Sequence, residues 1–357
     1  MRIAQPVRDF RSLHHRGGST VLIVIVLVLL AALVGGSVYL WNTLIGTQTN
    51  TTPDHTQGTG ISTPEHAEEI LESARAYLRE DQPEKARVLL ELAIIDYPAD
   101  QDLRVAYAES LLGVHKEEQA YEQYVESQRI GPKQAWIEAA AGTLANKLGQ
   151  PDAAMLHYKA AQQLDPNDPK HPLYLGQLQR TAGQRTEAEA SMMMVLRLDA
   201  ENAIAAGTLA DMLLEDNMVE QALRQIAIAR KVEPDNEVWK LIEARGLNRI
   251  NKPEQALLLL QTFNVNFLLK EHVRRLYGEV CGKLNRPKDA ANLYARAVEV
   301  DRQNTTLLME TAAWFERAED FAQALDFARS AEQLGAENAA RMVDRLNQKL
   351  ADAGGGE

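Results

Sequence analysis

AWIEAAAGTLANKLGQPDAAMLHYKAAQQLDPND, residues 135–168, contains the pattern that decides the fold of this chain. Its eighth and twentieth positions hold the small residues Gly142 and Ala154. Positions 4, 7, 8 and 11 share one helical face by the spacing of three and four residues. Pro166 lies near the end of the stretch, where proline terminates a helix because it lacks a backbone N–H. The stretch therefore predicts two antiparallel helices joined by a tight turn.

The same pattern recurs every 34 residues without insertion or deletion. Eight units begin at Ala67, Gln101, Ala135, Pro169, Ala203, Glu237, Glu271 and Thr305. The twentieth position is always alanine: Ala86, Ala120, Ala154, Ala188, Ala222, Ala256, Ala290 and Ala324. The eighth position is always small: Ala74, Ala108, Gly142, Gly176, Ala210, Ala244, Gly278 and Ala312. Two columns of small residues predict close helix crossings in every unit, and a fixed period of this length is typical of a solenoid.

This pattern resembles the tetratricopeptide repeat, a family whose signature has small residues at positions 8, 20 and 27 and proline at position 32. The resemblance implies an all-α fold, a right-handed superhelical solenoid of eight helix-turn-helix repeats over residues 65–338. Two departures stand out. Position 4 is charged in four units, at Arg104, Glu138, Lys240 and Arg274, and unit six places Phe263 where a small residue is expected, ahead of the apolar stretch 265–269.

A capping helix is predicted over residues 339–352, after the eighth unit. Its apolar face consists of Ala339, Met342, Val343, Leu346 and Leu350. A solenoid without such a cap would end on an exposed core. Residues 353–357 include three consecutive glycines and are predicted to be a disordered tail.

A transmembrane helix is predicted over residues 20–43. Residues 21–41 carry no charge, and 21 helical residues span roughly 31 Å, the thickness of a bilayer core. Four arginines precede the span, whereas no Lys or Arg follows it before Arg75. The positive-inside rule then predicts a cytoplasmic basic tail at 1–19, contact with the lipid bilayer through residues 21–41, and repeats outside the cytoplasm, in the periplasm if the source is bacterial.

The alternative for this segment is a cleaved signal peptide. Its basic leader is long for that purpose and no Ala-x-Ala site follows, so a permanent single-pass anchor is the preferred interpretation. Residues 44–64 are rich in Thr, Gln, Gly and Asn, and predict a flexible linker that cannot bury enough apolar surface to fold.

Composition excludes several classes of function. The net charge of −12 leaves no basic excess, so no nucleic-acid partner is expected. The single cysteine, Cys281, occupies a packing position and is predicted to be an inert, buried thiol. No catalytic, nucleotide-binding or metal-ligand motif is present in the sequence, so neither an enzyme nor a cofactor is expected. The histidines fall in different units and are expected as surface or groove residues: His115, His157, His171 and His272.

The most informative surface is the inner one, which the first helices of the units line in this repeat family. Basic residues gather there even though the chain is acidic overall. The predicted ligand-groove residues are Lys147, Arg180, Arg245, Arg249, Arg275 and Lys283. Unit five is acidic through Asp211 and Glu215, which should repel the same ligand and set its register. These residues predict an extended, acidic partner segment bound mainly across units six and seven; solvated helix faces with local ion pairs are the alternative.

Together, these features predict a membrane-anchored scaffold or adaptor for protein–protein interactions, with a role in envelope assembly. The alternative is a regulatory or accessory subunit of a membrane complex, in which the transmembrane helix makes the main contact.

Overall fold

The structure is a computed structural model that describes residues 63–354, and all its regular elements in that range are helices. The 18 described helices are α1 Pro64–Arg79, α2 Pro83–Asp96, α3 Gln101–Gly113, α4 Glu117–Ile130, α5 Ala135–Lys147, α6 Pro151–Leu164, α7 Lys170–Thr181, α8 Arg185–Leu198, α9 Ala203–Glu215, α10 Val219–Val232, α11 Glu237–Arg249, α12 Pro253–Leu260, α13 Val265–Leu268, α14 Glu271–Lys283, α15 Pro287–Val300, α16 Thr305–Arg317, α17 Phe321–Gln333 and α18 Ala339–Gly354. The prediction of an all-α fold is confirmed over this range.

No described helix combines the length and apolar character needed to cross a membrane. The predicted span at 20–43 lies outside the described residues, as does nearly all of the linker.

The helices pack as a one-dimensional series, each against the next along the chain, except that α12 packs on α14 rather than on the short α13. The first helices of neighbouring units are also in contact with one another. For example, α9 contacts α11, and α11 contacts α14. Every alanine of the two small columns is at most 1% exposed. At Gly142, an added Cβ would lie 3.2 Å from the ring of Tyr158 on the paired helix α6. The small columns therefore lie where paired helices approach most closely.

The turn inside each unit has a feature that the sequence analysis did not identify. Position 15 of every unit has a positive φ: Asp81, His115, Gly149, Gly183, Asn217, Asn251, Asn285 and Glu319. The next residue donates its N–H back to the carbonyl of position 11, as from Met218 to Leu213 at 2.8 Å. This is the Schellman arrangement, which satisfies carbonyls at a helix end and requires a left-handed residue.

The charged residues at position 4 are accommodated by local partners. Glu138 is 5% exposed and lies 2.7 Å from Nδ1 of His157. Arg274 is 7% exposed, donates to the carbonyl of Leu269 at 3.0 Å, and lies 5.0 Å from the centre of the Tyr294 ring. Buried charges persist only when they are paired in this way. The expectation that His157 is a surface or groove residue is wrong, because the buried Glu138 carboxylate holds its ring between α5 and α6.

Unit six is irregular, as its sequence predicts. Its second helix, α12, ends at Leu260 after 8 residues, whereas the other second helices of the series run 13 or 14. Phe263 is buried, and its ring packs edge-on against Phe267 at 5.3 Å. Phe267 and Leu268 pack partly buried on the same core. Phe263 thus fills the space that the missing helical turns leave, which explains why a large residue replaces a small one.

The last helix, α18, covers the end of the series. Ala339, Met342, Val343 and Leu346 are buried, as predicted. Leu350 is 41% exposed, so its predicted place on the buried face is wrong. At that turn of the helix it is the Lys349 side chain that lies over Phe321, with 5.5 Å between Nζ and the ring centre.

Candidate functional site

A cavity of about 500 Å³ opens between the first helices of units six and seven. Its lining residues are Leu241, Arg245, Asn248 and Arg249 from α11 and His272, Arg275, Leu276 and Glu279 from α14. Three of the six predicted groove residues therefore line one cavity: Arg245, Arg249 and Arg275. The lining carries three guanidinium groups against the single carboxylate of Glu279, so its character is basic.

The three arginines are held in different ways. Arg245 forms an ion pair with Asp211 on α9, at 2.6 Å from Nη1 to Oδ1. Arg275 lies 3.2 Å from Glu271 and 3.5 Å from Glu310. Arg249 donates to the carbonyl of Leu214 and has no carboxylate partner within residues 63–354. A guanidinium group carries five N–H donors, so each arginine keeps donors for a ligand.

Asn248 lies at the back of the cavity and is 2% exposed. Its Nδ2 donates to Oε1 of Glu279 at 2.8 Å. Its Oδ1 is buried and accepts no hydrogen bond from any described residue. Exchanging the two amide atoms would set oxygen against a carboxylate, so the unpartnered atom is the oxygen. An unfilled acceptor in a basic cavity is a position for a donor from a ligand.

Two lysines of the predicted set take other places. Lys283 donates from Nζ to the backbone carbonyl of Asn248 at 2.8 Å, so it supports the cavity from α14. Lys147 pairs with Glu117 at 2.5 Å, in unit two and away from the cavity. The structure therefore does not bring Lys147 together with the three arginines.

Unit five differs from its prediction. Asp211 binds Arg180 from the preceding unit as well as Arg245 from the following one. Glu215 binds Arg185 at 2.6 Å, and the hydrogen bonds that Arg185 donates to Asp216 and to Glu215 raise the pKa of its guanidinium group. The acidic groups of unit five are thus neutralised by basic neighbours. They link units four, five and six rather than repel an incoming acidic segment.

One group of residues in the described part of the chain has donors for a metal ion. Candidate ligand atoms of Asp165, Asp168 and His171 lie within 4.8 Å of one another, in the turn before α7 and the first turn of that helix. Oδ1 of each aspartate accepts a backbone N–H, from Asn167 at 3.1 Å and from Lys170 at 2.8 Å. These bonds explain the aspartates as residues of the turn that leads into α7. His171 is 4% exposed because the first turn of α7 packs on α6, so its expected surface location is wrong.

Sequence reasoning missed Asn248 as a member of the cavity and gave His272 only as a surface or groove histidine, without assigning it to the ligand site. A signal for Asn248 was present, because Arg245, Asn248 and Arg249 are spaced three and four residues apart and share one helical face. His272 gives no such signal, because it lies next to the helix start and is placed only by the packing of α14 on α11.

Residues 139–168 match the family model of the tetratricopeptide repeat. The match covers α5 after its first turn and all of α6, and supports the tetratricopeptide-repeat family for this chain. The repeats of this family bind proteins or peptides. Comparison with curated proteins gives no match.

Solved tetratricopeptide-repeat structures are among the chains to which this one is similar. PilF of Pseudomonas aeruginosa is 18% identical, with 61% of this chain and 98% of that chain covered at a TM-score of 0.47. YrrB, described as a TPR protein with an unusual peptide-binding site, is 19% identical over 48% of this chain and 88% of that one, at 0.44. PilW, a type IV pilus biogenesis factor, is 19% identical over 60% and 99%, at 0.45.

Proposed function

We propose that this chain is a non-enzymatic interaction scaffold whose cavity between α11 and α14 binds an extended acidic segment of a partner protein. The observation that carries the proposal is that Arg245, Arg249 and Arg275 line one cavity together with Asn248, whose Oδ1 has no hydrogen-bond partner among the described residues. Guanidinium groups offer paired N–H donors that match a carboxylate. The asparagine oxygen in turn accepts a backbone N–H of the same segment.

The cavity selects for an acidic side chain beside an accessible peptide bond. Leu241 and Leu276 are each 8% exposed and contribute apolar surface to the lining. Glu279 is directed to Asn248 and Lys283, so its carboxylate is already occupied. A cavity of about 500 Å³ holds a few side chains, so the segment is short at this point. Its remaining length would run along the inner helices of the neighbouring units.

The location of this scaffold is part of the proposal. The arginines before residues 20–43 support a single-pass protein whose repeats lie outside the cytoplasm and act in envelope assembly. Protease added to intact spheroplasts should then digest the repeats. Protection until lysis would reverse the topology.

A second candidate is an accessory subunit of a membrane complex, which the long apolar segment favours. Affinity purification with and without residues 1–45 separates the two. A scaffold keeps its partner without those residues, whereas a subunit held by its transmembrane helix loses it.

The acidic-segment proposal is tested with a fluorescein-labelled hexaglutamate peptide, and hexaglutamine as the neutral comparison. The double variant Arg245→Glu with Arg249→Glu should weaken hexaglutamate binding roughly tenfold or more and reduce its salt dependence. The control is Arg197→Glu with Arg224→Glu, which changes the net charge equally at exposed sites on α8 and α10. Circular dichroism verifies that all variants remain helical. Equal binding by both double variants would show that the cavity is only a solvated basic surface.

A further inference from the structure

The outer face of α1 and α2 exposes an apolar stripe. On α2, Val88, Leu92 and Ile95 are 48%, 62% and 70% exposed. Their spacing of four and three residues puts them on one side of the helix. Ile70 and Tyr77 of α1 continue this surface, and a cavity of about 670 Å³ lies between the two helices. A contiguous exposed patch of this kind marks an interaction site.

Unit eight shows what covers the α1 part of this surface elsewhere in the chain. Ile70 and Tyr77 are positions 4 and 11 of their unit, which Leu308 and Phe315 occupy in unit eight. Both of those residues are 2% exposed, since the second helix of unit seven packs against α16. The described residues contain no such helix before α1. The first unit therefore presents a helix-binding surface that lacks its helix within residues 63–354.

We propose that this surface pairs with the same surface of a second copy of the chain, through antiparallel contact of the two α2 helices about a twofold axis. Lys85 precedes the stripe by one turn and Asp96 ends it. Both are exposed, and Asp96 forms no ion pair within residues 63–354. An antiparallel pairing centred between residues 90 and 91 sets each Lys85 opposite the Asp96 of the second copy.

Charge complementarity is the reason to choose a second copy as the occupant. A twofold contact must be self-complementary, because each residue meets the surface from which it comes. The sequence Lys85, Val88, Leu92, Ile95, Asp96 meets that condition, with an apolar centre and opposite charges at its two ends. The pairing would cover the stripe of both copies with one helix each. The dimer contact involves no residue of the α11–α14 cavity, so its test does not depend on the proposed ligand.

The test is the self-association of the full chain, measured by sedimentation velocity from about 1 to 100 μM. A mild nonionic detergent is included, because residues 20–43 are predicted to cross a membrane. The parent should dimerise, and Leu92→Glu should raise the dimer Kd roughly tenfold or more, because it buries a carboxylate in the contact. The matched control is Leu156→Glu, at an apolar residue of α6 that is 71% exposed and outside the stripe. It should leave the Kd unchanged.

A charge swap tests the antiparallel register. Lys85→Asp should weaken the dimer, and adding Asp96→Lys should restore it. A monomeric parent would overturn the proposal and leave the surface to another segment or another protein. A dimer that Leu92→Glu and Leu156→Glu affect equally, or a charge swap without restoration, would overturn it as well.

Discussion

Replacing His115 and Glu319 with glycine should stabilise the chain, because both residues are held in a left-handed backbone conformation. Their φ angles are 59° and 60°. Both side chains are exposed and make no hydrogen bond or ion pair to any described residue. Gly149 and Gly183 hold the same position in other units, and an added Cβ there would have no neighbour within 4 Å. A side chain at this turn is therefore unfavourable because of the left-handed backbone conformation, and not because of a steric clash with neighbouring residues.

The size of the gain follows from two opposing effects. The left-handed conformation costs a residue with a side chain roughly 1–2 kcal/mol, which glycine avoids. Glycine also gives the unfolded chain more freedom, which costs roughly 0.5–1 kcal/mol. Each substitution should thus raise the free energy of unfolding by about 0.5–1 kcal/mol. The two sites lie in units two and eight, so their effects should add. By the same reasoning, Gly149→Ala should lower the free energy of unfolding by about 0.5–1 kcal/mol.

Urea unfolding followed by circular dichroism at 222 nm measures these changes. The double glycine variant should shift the midpoint upward, and Gly149→Ala should shift it downward. The control is Lys159→Gly, an exposed position inside α6, which should lose about 1 kcal/mol because glycine is unfavourable within a helix. If the double variant matches Lys159→Gly, or if Gly149→Ala changes nothing, the left-handed residues are not a source of instability.

Three further predictions concern the core and the cap. Burial raises the pKa of Cys281 to about 11, so Ellman's reagent should not react with the native protein at pH 8 but should react after unfolding in guanidinium; rapid native reaction would contradict this. Burial alone would raise the pKa of Glu316, but hydrogen bonds from Arg345 and Lys349 outweigh it and lower that pKa below 4.5. The resulting stability is present above the unfolded pKa and is lost as the pH falls through the folded value. Glu316→Gln should therefore destabilise α18 at pH 7 by about 1 kcal/mol, because Arg345 and Lys349 are partly exposed, and should reduce the acid sensitivity of urea unfolding; a parent-like acid profile would refute the pairing. Ala188→Leu should cost about 1–3 kcal/mol in the same urea assay, because Ala188 is 0% exposed at a helix crossing; an unchanged midpoint would mean that the crossing lies elsewhere.

The helical architecture could be predicted from sequence because small residues are required wherever paired helices cross. Larger residues at Ala188 or Gly142 would prevent the paired helices from packing in this way. Every unit therefore has small residues at these two positions. Position 15 was not recognised, because its requirement is for a backbone angle that several residue types can adopt. Asp81, Asn217 and Glu319 all meet it, with no shared size or charge. Leu350 was misassigned because a helical pattern does not show where the facing surface ends.

The inner surface was harder to predict than the core, because charges act through partners that one helix cannot show. Arg245, Arg249 and Arg275, which the sequence analysis assigned to the inner surface, line one cavity. Two of the acidic partners come from helices one unit away: Asp211 for Arg245 and Glu310 for Arg275. Counting the basic residues on one helix face therefore overestimates the positive charge that is available to a ligand.

The existing ion pairs decide which arginine would contribute most to binding. A ligand carboxylate at Arg245 must share that guanidinium with Asp211, and at Arg275 with Glu310. Partly exposed pairs of this kind are worth about 0–1 kcal/mol, so sharing is possible but brings little net gain. Arg249 has no carboxylate to displace within residues 63–354, and Asn248 next to it has a buried oxygen with no donor. The favourable free energy of binding should therefore concentrate at these two neighbouring residues of α11. The ligand that fits them best presents a carboxylate and a backbone N–H close together, as an acidic residue in an extended segment does.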